Sequence, residues 1–316
     1  MKLAFILDPL DSIKTCKDSS FAMMREAASR SHGLSVLQQG DLAWKGGEVV
    51  GYTRTLELTG DAHHWYQTGE PQATPLQEFD AVLMRKDPPF DMEYVYSTYL
   101  LELAESRGAC VINRPQAVRD HNEKLAIAKF PQFTAPTLVT RQQHLIRDFL
   151  AEHHDIVLKP LDGMGGASVF RIHSADHNIS VILETLTHYG TRTVMAQRYL
   201  PEIAQGDKRI LLISGKPVPY ALARIPKPGE SRGNLAAGGT GVAQPLTARD
   251  REIAETLGPV LHAQGLMLVG LDVIGDTLTE INVTSPTCMA EITDQTGFNV
   301  AGMMMDAIEK RMKDEG

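Results

Sequence analysis

In the first third of the chain, short apolar runs alternate with segments of helical period, and this alternation limits the possible folds more than any other feature. Runs at 3–7, 34–37, 81–84 and 110–112 have the length of strands, and 21–30 and 94–107 have the spacing of helices. Ser19 or Ser20 is placed to cap the first helix, Gly33 lies past its end, and Gly108 closes the second. Strands alternating with helices predict a mostly parallel sheet. Such sheets meet ligands in the loops after the strands' carboxyl ends, here 8–20 and 85–89.

From about residue 120 the pattern changes. A helix is expected through Lys124, a turn at Ala135-Pro136 and a helix at 142–152. Runs at 156–159 and 168–172 then flank a glycine-rich turn as an antiparallel hairpin would. A helix at 179–187 and a strand at 193–197 complete a small α+β lobe. Strands at 209–214, 220–225, 267–274 and 278–283, with a helix at 248–264, predict a further layer. Segment 226–241 holds five glycines and two prolines in 16 residues, the composition and length of a functional lid or linker. A chain of 316 residues suits two or three such units.

Lysine and arginine total 31 against 39 acidic residues, a net charge of −8, which disfavours broad binding to nucleic acid or an anionic membrane. No apolar stretch approaches the roughly 20 residues that cross a bilayer. The first apolar run stops at Asp8 and Pro9 without the form of a signal peptide. Cys16, Cys110 and Cys288 are too few and scattered for a disulfide framework, as suits a reducing compartment. A soluble, cytoplasmic protein is expected.

Three clusters carry chemistry. Lys159 stands at a strand end and is followed by Gly163, Met164, Gly165 and Gly166, three glycines in four positions. Backbone without Cβ atoms can approach a polyanion and offer N–H donors while the lysine adds a point charge. The same pattern serves a plain hairpin turn, and it is neither a Walker A loop nor a Rossmann fingerprint.

The second cluster is Asp272, Glu280 and Asn282. The last two lie two apart on one strand and share a face. A two-residue loop at Gly275-Asp276 would pair Asp272 with Thr279, whereas a three-residue loop reaching Thr277 would set Asp272 opposite Glu280. In the second register two carboxylates and an amide oxygen form a hard-oxygen set suited to magnesium shared with phosphates. A solvated strand face would carry the same residue types.

The third cluster is cationic: Lys208, Arg209, Arg224, Lys227 and Arg232. Arg224, at a strand end, and Arg232, inside the glycine-rich segment, are the foremost candidates to clamp phosphate oxygens under a closing loop. His63-His64 and His153-His154 lack partners at zinc spacing and read as surface residues. Cys288 has no activating partner in the sequence and reads as a buried structural thiol.

Taken together, MRKDPPFD from Met84, KPLDGMGGAS from Lys159, RGNLAAGG from Arg232, and VGLDVIGD with LTEINVTSPT between Val269 and Thr287 resemble the bacterial glutathione synthetase family of the ATP-grasp superfamily. The resemblance spans essentially the whole chain. It implies an α/β and α+β protein of the ATP-grasp fold, with a Rossmann-like pre-ATP-grasp domain at 1–120, a small lobe at 121–200, and a large lobe with metal site and lid at 201–316. It also implies ATP-dependent ligation of γ-glutamylcysteine and glycine to glutathione, ADP and phosphate through an acyl phosphate. Magnesium or manganese would assist, the partners would be these small molecules, and the assembly would be a homotetramer.

By the same resemblance, Lys124, Lys159 and the loop of Gly163, Met164, Gly165 and Gly166 hold the nucleotide phosphates. The strand end through Gln197, Tyr199 and Leu200 meets adenine, and Asp207 reaches the ribose. Gln197 stands where many relatives carry a glutamate, which shifts the weight there to backbone contacts. Asp272, Glu280 and Asn282 match the metal ligands, favouring the register with Asp272 opposite Glu280. Arg209 and Arg224 would stabilise charge on the transferred group and the oxyanion, and Arg232 would close with the lid. Arg85 would take the dipeptide's carboxylate or another anionic portion, and Ser285 and Thr287 would lie near glycine. Asp272→Ala and Glu280→Ala are expected to lose activity in a folded protein. Another carboxylate–amine ligase, or a nucleotide-binding module without chemistry, would be the alternatives.

Overall fold

The structure, a computed structural model, describes residues 1–61, 64–230, 233, 235 and 238–315. Its amino-terminal layer begins with β1 (Lys2–Leu7), α1 (Ser19–Ser29) and β2 (Gly33–Gln38). Asp18, rather than Ser19 or Ser20, caps α1, its carboxylate accepting the Phe21 N–H at 2.7 Å. The two serines are buried in the first turn, where Ser19 Oγ accepts the Met289 N–H and Ser20 Oγ accepts from Arg85.

An antiparallel excursion follows: β3 (Leu42–Lys45), β4 (Glu48–Leu58), β5 (Tyr66–Thr68) and β6 (Gln72–Pro75). The chain then returns through β7 (Ala81–Met84), α2 (Met92–Glu105), β8 (Val111–Ile112) and α3 (Pro115–Arg119). The strands run in the order β3-β4-β2-β1-β7-β8, with β5 and β6 also on β4. Among the described residues β2, β1, β7 and β8 are the parallel strands, so the parallel expectation holds for the half of the sheet that ends at β8 and fails for the strands between 42 and 75.

The expected helix through Lys124 is absent. Asn122 Oδ1 accepts the N–H groups of Lys124 and Leu125, and a 3-10 turn at Leu125–Lys129 takes its place before Pro131. The small lobe comprises β9 (Thr137–Thr140), α4 (Gln143–His153), β10 (Asp155–Pro160), β11 (Phe170–His173), α5 (Ile179–Thr187) and β12 (Val194–Arg198). Its four antiparallel strands lie in the order β11-β10-β12-β9. Ile146, Leu150, Ile156, Leu158 and Leu183 give this lobe a core of its own.

The second antiparallel sheet has the order β15-β14-β13-β16-β17. It is built from β13 (Asp207–Ile213), β14 (Lys216–Ile225), β15 (Thr240–Pro245), β16 (Leu268–Ile274) and β17 (Thr277–Asn282), with α6 (Ala248–Ala263) between β15 and β16. Leu257 and Leu261 of α6 share a core with Ile210, Leu212 and Leu271 on the back of the sheet. After β17 come α7 (Met289–Thr296) and α8 (Val300–Glu315). Met304, Met305 and Ile308 of α8 bury with Leu3, Phe5 and Met23, and Arg30 pairs with Asp306 and Glu309. The end of the chain therefore packs on the amino-terminal layer. Among the described residues no helix is long and apolar enough to cross a membrane.

Asp250 closes a capping box with Thr247 at the start of α6 and also pairs with Lys208, both being buried. Asp250→Ala would strand a buried ammonium, and removing one partner of a buried pair costs about 3–5 kcal/mol. Urea unfolding should show that loss; a change below about 1 kcal/mol would mean the pair is idle.

Burial raises the Glu105 carboxyl to about 7 despite Arg114 and Arg311 nearby. Between its ordinary value of about 4.3 and 7 the folded chain keeps a proton that the unfolded chain has released. Its contribution to stability is therefore fully present at low pH and is lost as pH rises through that window. Glu105→Gln is expected to flatten this part of a stability–pH curve, and an unchanged curve would contradict the assignment.

Candidate functional site

Residues opposite one another in a sheet share a face, and this rule assembles the site. Asp207 lies opposite Arg224 and Ile274, Arg209 opposite Asp272, and Asp272 opposite Glu280. Lys208, one residue out of phase, turns to the back and pairs with Asp250. That alternation removes Lys208 from the cations near the candidate phosphate site.

Neither loop considered from sequence accounts alone for the position of Asp272. The turn has two residues, with Ile274 opposite Thr277, the geometry expected to pair Asp272 with Thr279. A bulge after Asp272 then takes up Thr279, whose Oγ1 donates to the Asp272 carbonyl at 3.1 Å, and Glu280 comes opposite Asp272.

Asp272 is buried between two guanidiniums. Arg209 donates from Nε at 2.6 Å and Nη2 at 3.1 Å, and Arg224 Nη2 lies 2.8 Å away. Burial alone would raise this carboxyl, but the arginines outweigh it and hold it well below the usual carboxylate range. Asp207 accepts from Arg224 Nη2 at 2.5 Å, yet burial, aided by Asp272 and Glu280, pushes it up to about 6. Its Oδ1 is buried without a hydrogen-bond partner among the described residues. Gly270 makes room for this arrangement, since a Cβ there would come within 2.9 Å of Arg209 Cδ.

The small lobe supplies the opposite wall. Lys159, near the end of β10, and Lys124 each place Nζ 3.8 Å from Glu280 Oε1. Lys124 Nζ also donates to the Gly163 carbonyl at 2.6 Å, tying the glycine-rich loop to the site. Burial lowers the Lys159 pKa, with Glu280 opposing and Lys124 adding to the shift. Gly165 and Gly166 take φ of 63° and 78°, the left-handed region that glycine enters at least cost. Met164 is partly exposed at the rim.

Gln197 is buried and donates from Nε2 to Thr137 Oγ1 at 3.0 Å within its own sheet. One of its amide hydrogens is thus held within the sheet, while the residue also lines the cleft. Tyr199 and Leu200 follow at the cleft, where the Arg171 guanidinium lies 3.6 Å from the centre of the Tyr199 ring.

Between the walls lies a cleft of about 420 Å³. Lys14, Lys17, Asp18 and Asp87 of the amino-terminal layer line it together with Ser285 and Thr287. The motif predicts a substrate carboxylate for Arg85, but its buried guanidinium donates to Ser20 Oγ at 3.0 Å and to the Pro286 carbonyl at 2.9 Å. Arg85 thus lies behind 284–288 and does not line the cleft, because α1 and that segment seal the end of β7. Asn113 makes a similar clamp through the Leu268 and Val283 carbonyls at 2.7 and 2.8 Å.

Cys288 is buried, as expected, and burial raises its thiol pKa against Arg209 and Arg224. His153 departs from the surface expectation by packing on Phe149, with ring centres 4.4 Å apart. His64 is exposed, and His63 and Arg232 lie outside the described residues. The sequence patterns do not single out Glu123, whose carboxylate accepts from Thr284 Oγ1 at 2.7 Å and whose carbonyl accepts the Ile281 N–H at 2.8 Å. Its one signal is adjacency to Lys124.

Among the described residues no group of three His, Cys, Asp or Glu side chains is placed to hold a metal. Asp272, Glu280 and Asn282 offer two carboxylates and one amide instead. Asn282 Nδ2 donates to the Gly270 carbonyl at 3.3 Å, which leaves Oδ1 able to accept from another donor or a cation.

The profile of the prokaryotic glutathione synthetase ATP-grasp domain matches residues 123–297, and that of the prokaryotic glutathione synthetase N-terminal domain matches 1–119. A glutathione synthetase of Nitrosomonas europaea is 72% identical over 316 residues, covering 99% of this chain and 98% of its own. One of Ralstonia nicotianae is 63% identical, covering 98% and 96%. Among solved structures, D-cycloserine synthetase DcsG shares the fold with a TM-score of 0.68 at 17% identity, covering 99% of this chain and all of its own.

Proposed function

The chain belongs to the prokaryotic glutathione synthetase family, and we propose that the cleft described above is its active site. The enzyme is an ADP-forming carbon–nitrogen ligase that joins γ-glutamylcysteine and glycine into glutathione with ATP as phosphoryl donor. Three units, 1–120, 121–200 and 201–316, share that site. The same family reading includes a cytoplasmic location and a homotetramer.

The observation that carries the assignment is the convergence of Lys124 and Lys159 on Glu280 beside the Arg209–Asp272–Arg224 cluster. A free carboxylate is a poor acyl donor at neutral pH. One oxygen of the cysteinyl carboxylate attacks the γ-phosphorus of ATP, ADP leaves, and the glycine amine then attacks the acyl carbon of the acyl phosphate. Phosphate departs with the carboxylate oxygen, and the newly bonded nitrogen gives up one proton and keeps the other as the amide N–H.

The protein's work is positioning and charge neutralisation. Lys124, Lys159 and the N–H groups of the glycine-rich loop would hold the phosphates. Backbone around Gln197, Tyr199 and Leu200 would meet adenine, and the unpartnered Asp207 Oδ1 suits a ribose hydroxyl. Arg209 and Arg224 would face the transferred group and the oxyanion, with Arg232 arriving on the 226–241 loop. Lys14, Lys17, Asp18 and Asp87 suit a substrate that carries both carboxylates and an amine, and Ser285 and Thr287 border the glycine end.

The donor set of Asp272, Glu280 and Asn282 fits a hard divalent cation shared with phosphates. A carboxylate has about four lone-pair sites, so the arginines do not exhaust Asp272. Magnesium or manganese held there would neutralise charge on the phosphates.

ADP release should require γ-glutamylcysteine and glycine together, and substituting D-alanine or glutamate as acceptor should give little. Faster release with either substitute would point to another carboxylate–amine ligase. ATP binding with no ADP from any pair would leave a nucleotide-binding module.

A further inference from the structure

Antiparallel pairing in the small lobe sets four side chains in one row. Arg171 lies opposite Val157, Val157 opposite Gln197, and Gln197 opposite Thr137, so the row crosses β11, β10, β12 and β9 on one face of the sheet. Arg171, Val157 and Gln197 line the cleft, whereas Thr137, on the edge strand β9, does not. Lys159 follows Val157 by two residues on the same face, about 7 Å along the strand. The row therefore lies one step beyond the lysine assigned to the phosphates.

A glutamine amide has two orientations of nearly equal shape, and its hydrogen-bond partners select between them. The Thr137 hydroxyl has a single proton, which it donates to the Ala135 carbonyl at 2.8 Å. Toward Gln197 its oxygen can then only accept, and it accepts from Nε2 at 3.0 Å. Turning the amide over would set Oε1 against that hydroxyl oxygen or draw the proton away from the carbonyl of buried Ala135. A buried polar group left unpaired costs more than a made hydrogen bond gains. Oε1 is thus the amide atom left for the cleft, and no donor among the described residues reaches it.

We propose that Thr137, from outside the cleft, is a positioning residue for base specificity: it fixes the Gln197 amide so that Oε1 accepts from the 6-amino group of an adenine nucleotide. Guanine carries an acceptor oxygen at that position, which Oε1 opposes. A carboxylate accepts through either oxygen and needs no guide, but an amide accepts through one alone. Gln197 therefore depends on Thr137 for its selectivity. The inference rests on the reading that adenine meets this strand end, and it adds what orients the side chain there.

Initial rates over a range of ATP and of GTP, with γ-glutamylcysteine and glycine saturating, test it. Wild type is expected to favour ATP. Thr137→Val frees the amide to turn Nε2 toward the cleft, so the ATP:GTP ratio of kcat/KM should fall about tenfold, the weight of one hydrogen bond, through a raised KM for ATP. Thr137→Ser keeps the hydroxyl and should keep the ratio. A wild-type ratio in Thr137→Val overturns the proposal; if thermal unfolding shows that variant unfolded at the assay temperature, Thr137→Ala is read in the same way. Gln197→Met separates the proposal from the reading beneath it. An unchanged ratio in Gln197→Met would place adenine elsewhere and remove both, whereas a ratio that collapses in Gln197→Met and holds in Thr137→Val removes the role of Thr137 alone.

Discussion

Asp272→Ala is expected to lower ligation by about 10²–10³-fold, the scale for loss of one preorganised electrostatic group, and to weaken the fold at the same time. From sequence this variant is expected to stay folded, but the structure changes that expectation. The carboxylate is buried and meets Arg209 at 2.6 Å and Arg224 at 2.8 Å. Deleting it leaves two buried guanidiniums facing each other with one fewer counter-charge, and breaking such a pair costs about 3–5 kcal/mol. Glu280→Gln separates the two effects. Its side chain is 23% exposed and lies 3.8 Å from each lysine, so activity should fall steeply while stability changes less than in Asp272→Ala. Urea unfolding and steady-state rates on both variants provide the check. Full turnover of either at ordinary magnesium would remove it from the catalytic set, and an unchanged unfolding midpoint for Asp272→Ala would mean that the arginines repack.

Lys159→Met is expected to lower kcat/KM for ATP by about 10²–10³-fold, the scale for removing one preorganised donor to developing charge. Stability should hold or rise slightly. Burial disfavours the charged ammonium and Lys124 adds repulsion, and together they outweigh the attraction of Glu280, Asp207 and Asp272. The chain thus carries a desolvated cation for which the fold itself has little use. Initial rates over a range of ATP, paired with thermal unfolding, test both halves. A loss of stability with ATP kinetics intact would make Lys159 a structural residue.

The legible parts of the fold were those where local pattern and tertiary burial agree. The apolar runs of β1, β7 and β10 and the helical period of α5 and α6 are all buried in the direction their spacing demands. Three kinds of feature escaped. The bulge at Thr279 adds a residue without any change in composition, so the Asp272 register could not be counted from the turn. The cap of α1 went to Asp18 because Ser19 and Ser20 were engaged in tertiary hydrogen bonds. The antiparallel strands at 42–75 and helices α7 and α8 are shaped by the surfaces they cover.

Within the site, the motif located Lys124, Lys159, Asp272 and Glu280 in one place but could not separate a cleft residue from a clamp behind it. Arg85 and Lys208 are both basic residues beside apolar strands. Only the sheet's alternation and the packing of α1 and 284–288 assign them elsewhere.

The acyl phosphate route is tested most directly by following one oxygen. γ-Glutamylcysteine labelled with oxygen-18 in its cysteinyl carboxylate is incubated with ATP, glycine and magnesium, and the inorganic phosphate is examined by mass spectrometry. An acyl phosphate intermediate leaves one labelled oxygen in each phosphate, because the bond formed to phosphorus keeps the carboxylate oxygen when the amine displaces it. Glutathione formed with unlabelled phosphate would contradict it.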